Sequence, residues 1–225
     1  DRNVWLDRQG RMFYQEDLDA PLSADSAQQA PSLTASGNLA PLDQTFLLHS
    51  RPGARRTIYL NFRGATLVNT AWNSSSQPSI SALPYDLDGV PYSLSATELE
   101  RIQYIWQRVA EDFAPFDVDV TTEPPPADRL SRSGGGDDTF GTTVLITKRT
   151  FYNCSCGGVA YLGVFDDVSD YYKPALVFYY ALRSGNEKYV AGAISHEAGH
   201  NVGLHHDGTS TQGYYSGHGS GATGW

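Results

Sequence analysis

The run His196-Glu197-Ala198-Gly199-His200-Asn201-Val202-Gly203-Leu204-His205-His206-Asp207 carries the strongest signal in this chain. On an α-helix, residues four apart lie on one face about 6 Å along the axis, so His196 and His200 can aim two imidazoles at one ion. Glu197 leans to the side of that pair, where a carboxylate can take a proton from water without being a ligand itself. Gly203 permits a sharp turn, because glycine alone adopts positive φ cheaply. The turn brings His206 toward a third coordination position. Three protein ligands leave a fourth position open, the arrangement of a catalytic zinc rather than a structural one. Zinc there would supply a Lewis acid and an activated water. The competing reading is a helix with solvated histidines. His205 reads as a bystander in the turn, and His49 and His218 as ordinary histidines.

Outward from this run, the spacing predicts a helix over 187–203 with Tyr189, Val190, Ala193 and Ile194 on its apolar face. A second helix is marked by Ser95 three residues before Glu98, a capping box. Behind it Leu99, Ile102, Ile105, Trp106, Val109 and Phe113 recur at helical spacing, and the helix ends before Pro115. Strands are predicted at Thr57-Ile58-Tyr59-Leu60-Asn61-Phe62 and over 116–120, 142–147, 159–165 and 175–182. The polar stretch 69–81 and the glycine-rich stretch 131–138 read as loops.

The first 50 residues differ in composition. Val4, Trp5, Leu6, Met12, Phe13 and Tyr14 flank a Gln9-Gly10 turn signal and predict a small hairpin. Residues 21–41 are rich in Ala, Ser, Pro and Gln and read as a linker. The division expected is therefore an N-terminal arm over 1–50, either a pro-segment remnant or an arm packed on the main domain, and a catalytic domain over 51–225.

With 40% hydrophobic residues the 225-residue chain can bury a sizeable core. Its net charge of −9 and the lack of a basic stripe exclude nucleic acid as an expected partner. No run is long and apolar enough to span a bilayer. The chain opens at Asp1 without a basic segment and apolar run, which reads as a processed start and fits a secreted, extracellular protein. Cys154 and Cys156, one residue apart, match neither a redox pair nor a zinc knuckle; a disulfide and two free thiols both remain open. Asp86-Leu87-Asp88-Gly89 resembles the opening of a calcium loop but lacks the downstream glutamate, and an aspartate-glycine turn is the plainer reading.

The extended histidine pattern resembles the metzincin signature of zinc metallopeptidases. Asp207 after the third histidine is similar to the adamalysin/reprolysin branch, in which that residue is a structural anchor. Cys156-Gly157-Gly158-Val159-Ala160-Tyr161-Leu162-Gly163 resembles the family's upper-rim strand, and the helix around Trp106 its backing helix. Leu48-His49-Ser50-Arg51-Pro52-Gly53 and Ala110-Glu111-Asp112-Phe113-Ala114-Pro115-Phe116 look like bacterial secreted members. The resemblance implies an α/β (α+β) fold with a twisted mixed sheet, a backing helix and an active-site helix. It implies one catalytic Zn2+ on His196, His200 and His206, with Glu197 as general base and Gly203 and Asp207 as structural residues. Protein or peptide substrates would bind antiparallel along Gly158, Val159, Ala160, Tyr161, Leu162 and Gly163.

Two departures accompany the resemblance. No methionine follows Met12, so the family's Met-turn is expected beyond Trp225, in residues cut from this chain or in a second, C-terminal fragment completing the domain. A zinc-binding adhesion module with little catalysis is the alternative function. The N-terminal arm also has no cysteine; if residues 1–45 are the pro-segment of a zymogen, a carboxylate such as Asp17 or Asp19 would have to cap the metal.

Overall fold

The computed structural model describes residues 3–17 and 39–206. The linker reading for residues 21–41 falls mostly outside them. The predicted hairpin forms: β1 (Val4–Leu6) and β2 (Met12–Asp17) pair antiparallel, and Gly10 turns the chain at φ 81°. Asp7 ties the turn, its Oδ1 accepting from the backbone N–H groups of Gln9 and Arg11.

The β-branched and aromatic run becomes β3 (Arg56–Asn61), whose Ile58 and Leu60 are fully buried. After it come a small antiparallel pair, β4 (Ala65–Val68) and β5 (Ser79–Ala82). Residues 79–81 were expected in a loop. Yet Ile80 and Ala82 alternate with exposed serines, a period of two that short polar side chains disguise. The helix α1 (Ala96–Asp112) starts as its capping box requires: Ser95 Oγ accepts from Glu98 N–H, and the Glu98 carboxylate accepts from Ser95 N–H at 2.7 Å.

Strands β6 (Val118–Thr121) and β7 (Phe140–Thr147) follow, then β8 (Cys156–Tyr161), β9 (Ala175–Phe178) and the helix α2 (Glu187–Asn201). Several boundaries shift from the sequence reading. β6 starts later because Phe116 is held in the turn after α1, its N–H bonded to Phe113. β8 starts at Cys156 and stops at Tyr161, because the Gly163 and Phe165 N–H groups leave the sheet for the carbonyls of His200 and Asn201. β9 stops at Phe178, and Tyr179–Ala181 wind into a single 3-10 turn.

Seven strands make one mixed sheet in the order β1-β2-β8-β9-β7-β3-β6. β6, β3, β7 and β9 run parallel, while β8 and the hairpin are antiparallel to their neighbours. The fold class is the mixed α/β arrangement the sequence implied. Side chains alternate across the sheet: Val144 and Ile146 of β7 join the core beneath α1 and α2, while Leu145 joins a second core with Trp72, Val159 and Phe178. Fully burying a side chain such as Ile194 stabilises by about 1.5–3 kcal/mol. That is why the C-terminal half of α2, buried throughout from Ile194 to Asn201, is held fixed. Cys154 and Cys156 are joined as a disulfide in the second core.

Candidate metal centre

Helix α2 positions the first three site residues. Asn186 caps it by accepting from Lys188 N–H, and Ser195 Oγ donates to Asp112 of α1 at 2.6 Å, fixing its rotation. At its other end Gly203 N–H bonds to His200 and Leu204 N–H to Gly199, with Gly203 at φ 98°. This is a Schellman closure, which needs a residue with positive φ just past the cap. It carries the chain back so that His206 meets the helix.

The three histidines predicted as ligands converge. Nε2 of His196 lies 3.0 Å from Nε2 of His200 and 3.1 Å from Nε2 of His206. His200 Nδ1 lies 2.7 Å from the Leu204 carbonyl. Donating a proton there leaves the His200 Nε2 lone pair facing its neighbours. Burial pushes the His200 pKa down to about 4 against the pull of Glu16, so this ring is neutral at pH 7.

A fourth group stands among them. Glu16 of β2 places Oε1 2.7 Å from His206 Nε2, 3.0 Å from His196 Nε2 and 3.5 Å from His200 Nε2. Burial works to raise its pKa, but the three imidazoles outweigh burial and hold the carboxyl far below its usual range. These separations can be compared with a metal site. A tetrahedral ion about 2.0–2.1 Å from each donor sets its donors about 3.3 Å apart. Three imidazoles and one carboxylate within 4.8 Å of one another suit zinc in chemistry as well as spacing, so the residues present could hold the ion.

Glu197 is fully buried, and neither carboxylate oxygen has a hydrogen-bond partner among the described residues. Burial, and secondarily the charge of Glu16, push its pKa well up. Its carboxylate lies against the backbone of β8: a Cβ built on Gly158 would fall 2.3 Å from Glu197 Oε1. Gly158 thus makes room for the carboxylate. Of the residues expected to bind peptide, Gly158, Val159, Ala160 and Tyr161 lie in β8 and Leu162 and Gly163 in the turn after it. Both edges of β8 are paired, one with β9 and the other, antiparallel, with β2.

Several site residues were not anticipated. Asn201 is wholly buried, donating to the Tyr161 carbonyl at 2.9 Å and accepting from Thr142 Oγ1 at 2.6 Å, so it locks α2 to β8 and β7. Tyr14 stacks on His200 with ring centroids 4.1 Å apart, and its hydroxyl meets His205 Nδ1 at 3.0 Å. Glu16 stands where the capping reading had Asp17 or Asp19. In a strand Tyr14 and Glu16 share a face, so the stacking of Tyr14 directs Glu16 to the three imidazoles; Asp17 pairs in register with Cys156. Asp19, Asp207 and His218 lie outside the described residues. Asp86 Oδ1 accepts from the Gly89 and Val90 N–H groups and Oδ2 from Lys148, while Glu98 accepts from Leu87 and Ser95. Although Asp86, Asp88 and Glu98 cluster, these bonds make a turn stitched to a helix cap, and nothing further points to calcium.

No helix among the described residues is long and apolar enough to cross a membrane. Comparison with curated proteins and with solved structures finds no match. A family model does match residues 127–207, roughly a third of the chain; its description is Metallo-peptidase family M12B Reprolysin-like. That stretch holds β7, β8, β9, α2 and all three converging imidazoles, and over it the chain is similar to the reprolysin-like metallopeptidases.

Proposed function

We propose that this chain is a zinc-dependent endopeptidase, with His196, His200 and His206 as metal ligands and Glu197 as general base. One observation carries the reading: three imidazole nitrogens meet at the spacing a tetrahedral ion sets, beside a buried carboxylate that has no hydrogen-bond partner among the described residues. Zinc, when bound, supplies a Lewis acid for the scissile carbonyl and lowers the pKa of an attacking water. Glu197 accepts that water's proton and delivers it to the leaving amine. An extended peptide laid antiparallel on β8 would present its carbonyls beside Gly158, whose backbone lies against the Glu197 carboxylate. The Cys154–Cys156 disulfide suits an oxidising compartment and supports a secreted enzyme.

The test uses a quenched peptide substrate, with the chain as it stands and with Glu16→Ala. Zinc-loaded protein is expected to cleave in at least the second form, and phenanthroline to abolish cleavage. Glu197→Ala on that background should keep its zinc and lose about 10²–10⁴-fold in kcat. Undiminished turnover in Glu197→Ala would overturn the assignment.

A further inference from the structure

The start of β8 breaks the strand period of two. Cys156, Val159 and Tyr161 all enter the second core, whereas Ala160 enters the core beneath the helices. Cys156 and Val159 are an odd number of residues apart yet share a face, so one extra residue lies between them. The register with β2 shows the same insertion: Val159 pairs with Gln15 and Cys156 with Asp17. The extra residue makes a bulge in the buried Gly157-Gly158 segment, a feature that bends and re-aims a strand locally. The wall it presents is the one on which Glu197 rests. A Cβ on Gly158 would stand 2.3 Å from Glu197 Oε1 and 2.7 Å from its Cγ and Cδ. Neither oxygen has a hydrogen bond among the described residues, so the carboxylate's position depends on packing against that wall.

The two ends of this wall are held differently. Toward Tyr161, the Asn201 amide donates to the Tyr161 carbonyl and ties β8 to α2, and pairing with β9 runs over Gly158 and Val159. On the other side of the bulge stands the Cys154–Cys156 disulfide. Both cysteines are buried, while Ser155 between them is exposed. The residues just before the bridge are pinned in turn. Tyr152 stacks on Phe178 with ring centroids 6.1 Å apart and meets Trp72 edge-on at 5.8 Å, and Phe151 meets Phe178 at 6.2 Å. The bridge thus links a fixed point in the second core to the residue that leads into the bulge. Between residues two apart it closes a very short loop, so chain entropy gives it far less global stabilisation than a long-range disulfide. Its effect is local, on the backbone entering Gly157.

Resting on the general-base reading above, we propose that the Cys154–Cys156 disulfide is a positioning element for the reaction: it pins the bulge, and the bulge sets where Glu197 stands. With the bridge closed, Cys156 is held in the second core, and the extra residue has to be taken up at Gly157-Gly158, against the carboxylate. With the bridge removed, no covalent tie holds residue 156, and the insertion can slide into the loop that precedes β8. The wall behind Glu197 then recedes and the base loses its aim. The three imidazoles are set by α2 and its Schellman turn, so metal binding does not depend on the bridge.

The test compares the Glu16→Ala chain with the same chain carrying Cys154→Ala and Cys156→Ala together, and again with both cysteines replaced by serine. Both pairs should keep one zinc and hold KM within about twofold. Each should lose at least about 10-fold in kcat, the scale of a base misplaced by about 1 Å. Hydrogen exchange, which needs no turnover, should become at least about 10-fold faster at the Gly157 and Gly158 amides and stay unchanged from Ile194 to Asn201. Leu145→Val, which trims the same core away from the bulge, should alter neither kcat nor that exchange. A double-mutant cycle with Gly158→Ala separates positioning from a general loss of stability: where the carboxylate is already displaced, removing the bridge should cost little more. An unchanged kcat without the bridge, or losses that simply multiply with that of Gly158→Ala, would overturn the proposal and leave the general base in place. Full turnover in Glu197→Ala would instead remove the base itself, and this proposal with it.

Discussion

Gly158 shows how closely the chemistry of the site depends on single atoms. Glu197 sits where only a hydrogen on residue 158 leaves room, so a methyl group there must push the carboxylate aside. Gly158→Ala is expected to retain zinc but to lose at least about 10-fold in kcat, because misplacement of the base by about 1 Å is costly. Zinc analysis beside steady-state kinetics on the Glu16→Ala background checks this; unchanged kcat would mean that Glu197 tolerates displacement or has no part in the reaction. At this scale the histidines and Glu197 were legible in the sequence, because their spacing is local: one helix face sets His196 and His200, and one glycine returns His206. Glu16 was not, since it meets His206 across 190 residues. The family resemblance implied a carboxylate such as Asp17 or Asp19 from the arm, but only the pairing register of β2 on β8 selects position 16.

At the level of elements, the helices were readable from caps and periodicity, and the strand ends were not. The ends of β8 are set by tertiary bonds: His200 and Asn201 carbonyls take the Gly163 and Phe165 N–H groups, and no local pattern encodes that. The same holds at the far edge of the sheet, where His49 bridges to Thr121 of β6. Its Nδ1 lies 2.6 Å from Asp119 and its Nε2 2.7 Å from Glu123. Burial lowers the His49 pKa, but the bonds to Glu123 and Asp119 outweigh it and raise the value above the ordinary one. A raised folded pKa means the protonated ring favours the folded state. That contribution is fully present below the unfolded value of about 6.5 and fades as pH rises through the higher folded value. His49→Gln should therefore destabilise by about 1 kcal/mol near pH 5.5, solvent screening included, and by much less near pH 9. Urea unfolding of both proteins at the two pH values decides it, and an equal cost at both would show that the ring contributes only packing.

Over the whole molecule, the sheet brings opposite ends of the chain to one point. β1 and β2 come from the first residues and α2 from the last described ones, yet β2 joins the sheet directly beside β8, and Glu16 reaches the imidazoles. The mixed fold follows from hydrophobic patterning together with the family likeness. The place of the hairpin in the sheet could not be inferred the same way, because pairing between distant strands leaves no local periodic trace. The most direct check of the account is X-ray absorption at the zinc edge on the metal-loaded full chain. The account predicts one zinc per chain with three imidazole nitrogens at about 2.0–2.1 Å. A chain that binds no zinc, or whose zinc shows fewer than three imidazoles, would contradict it.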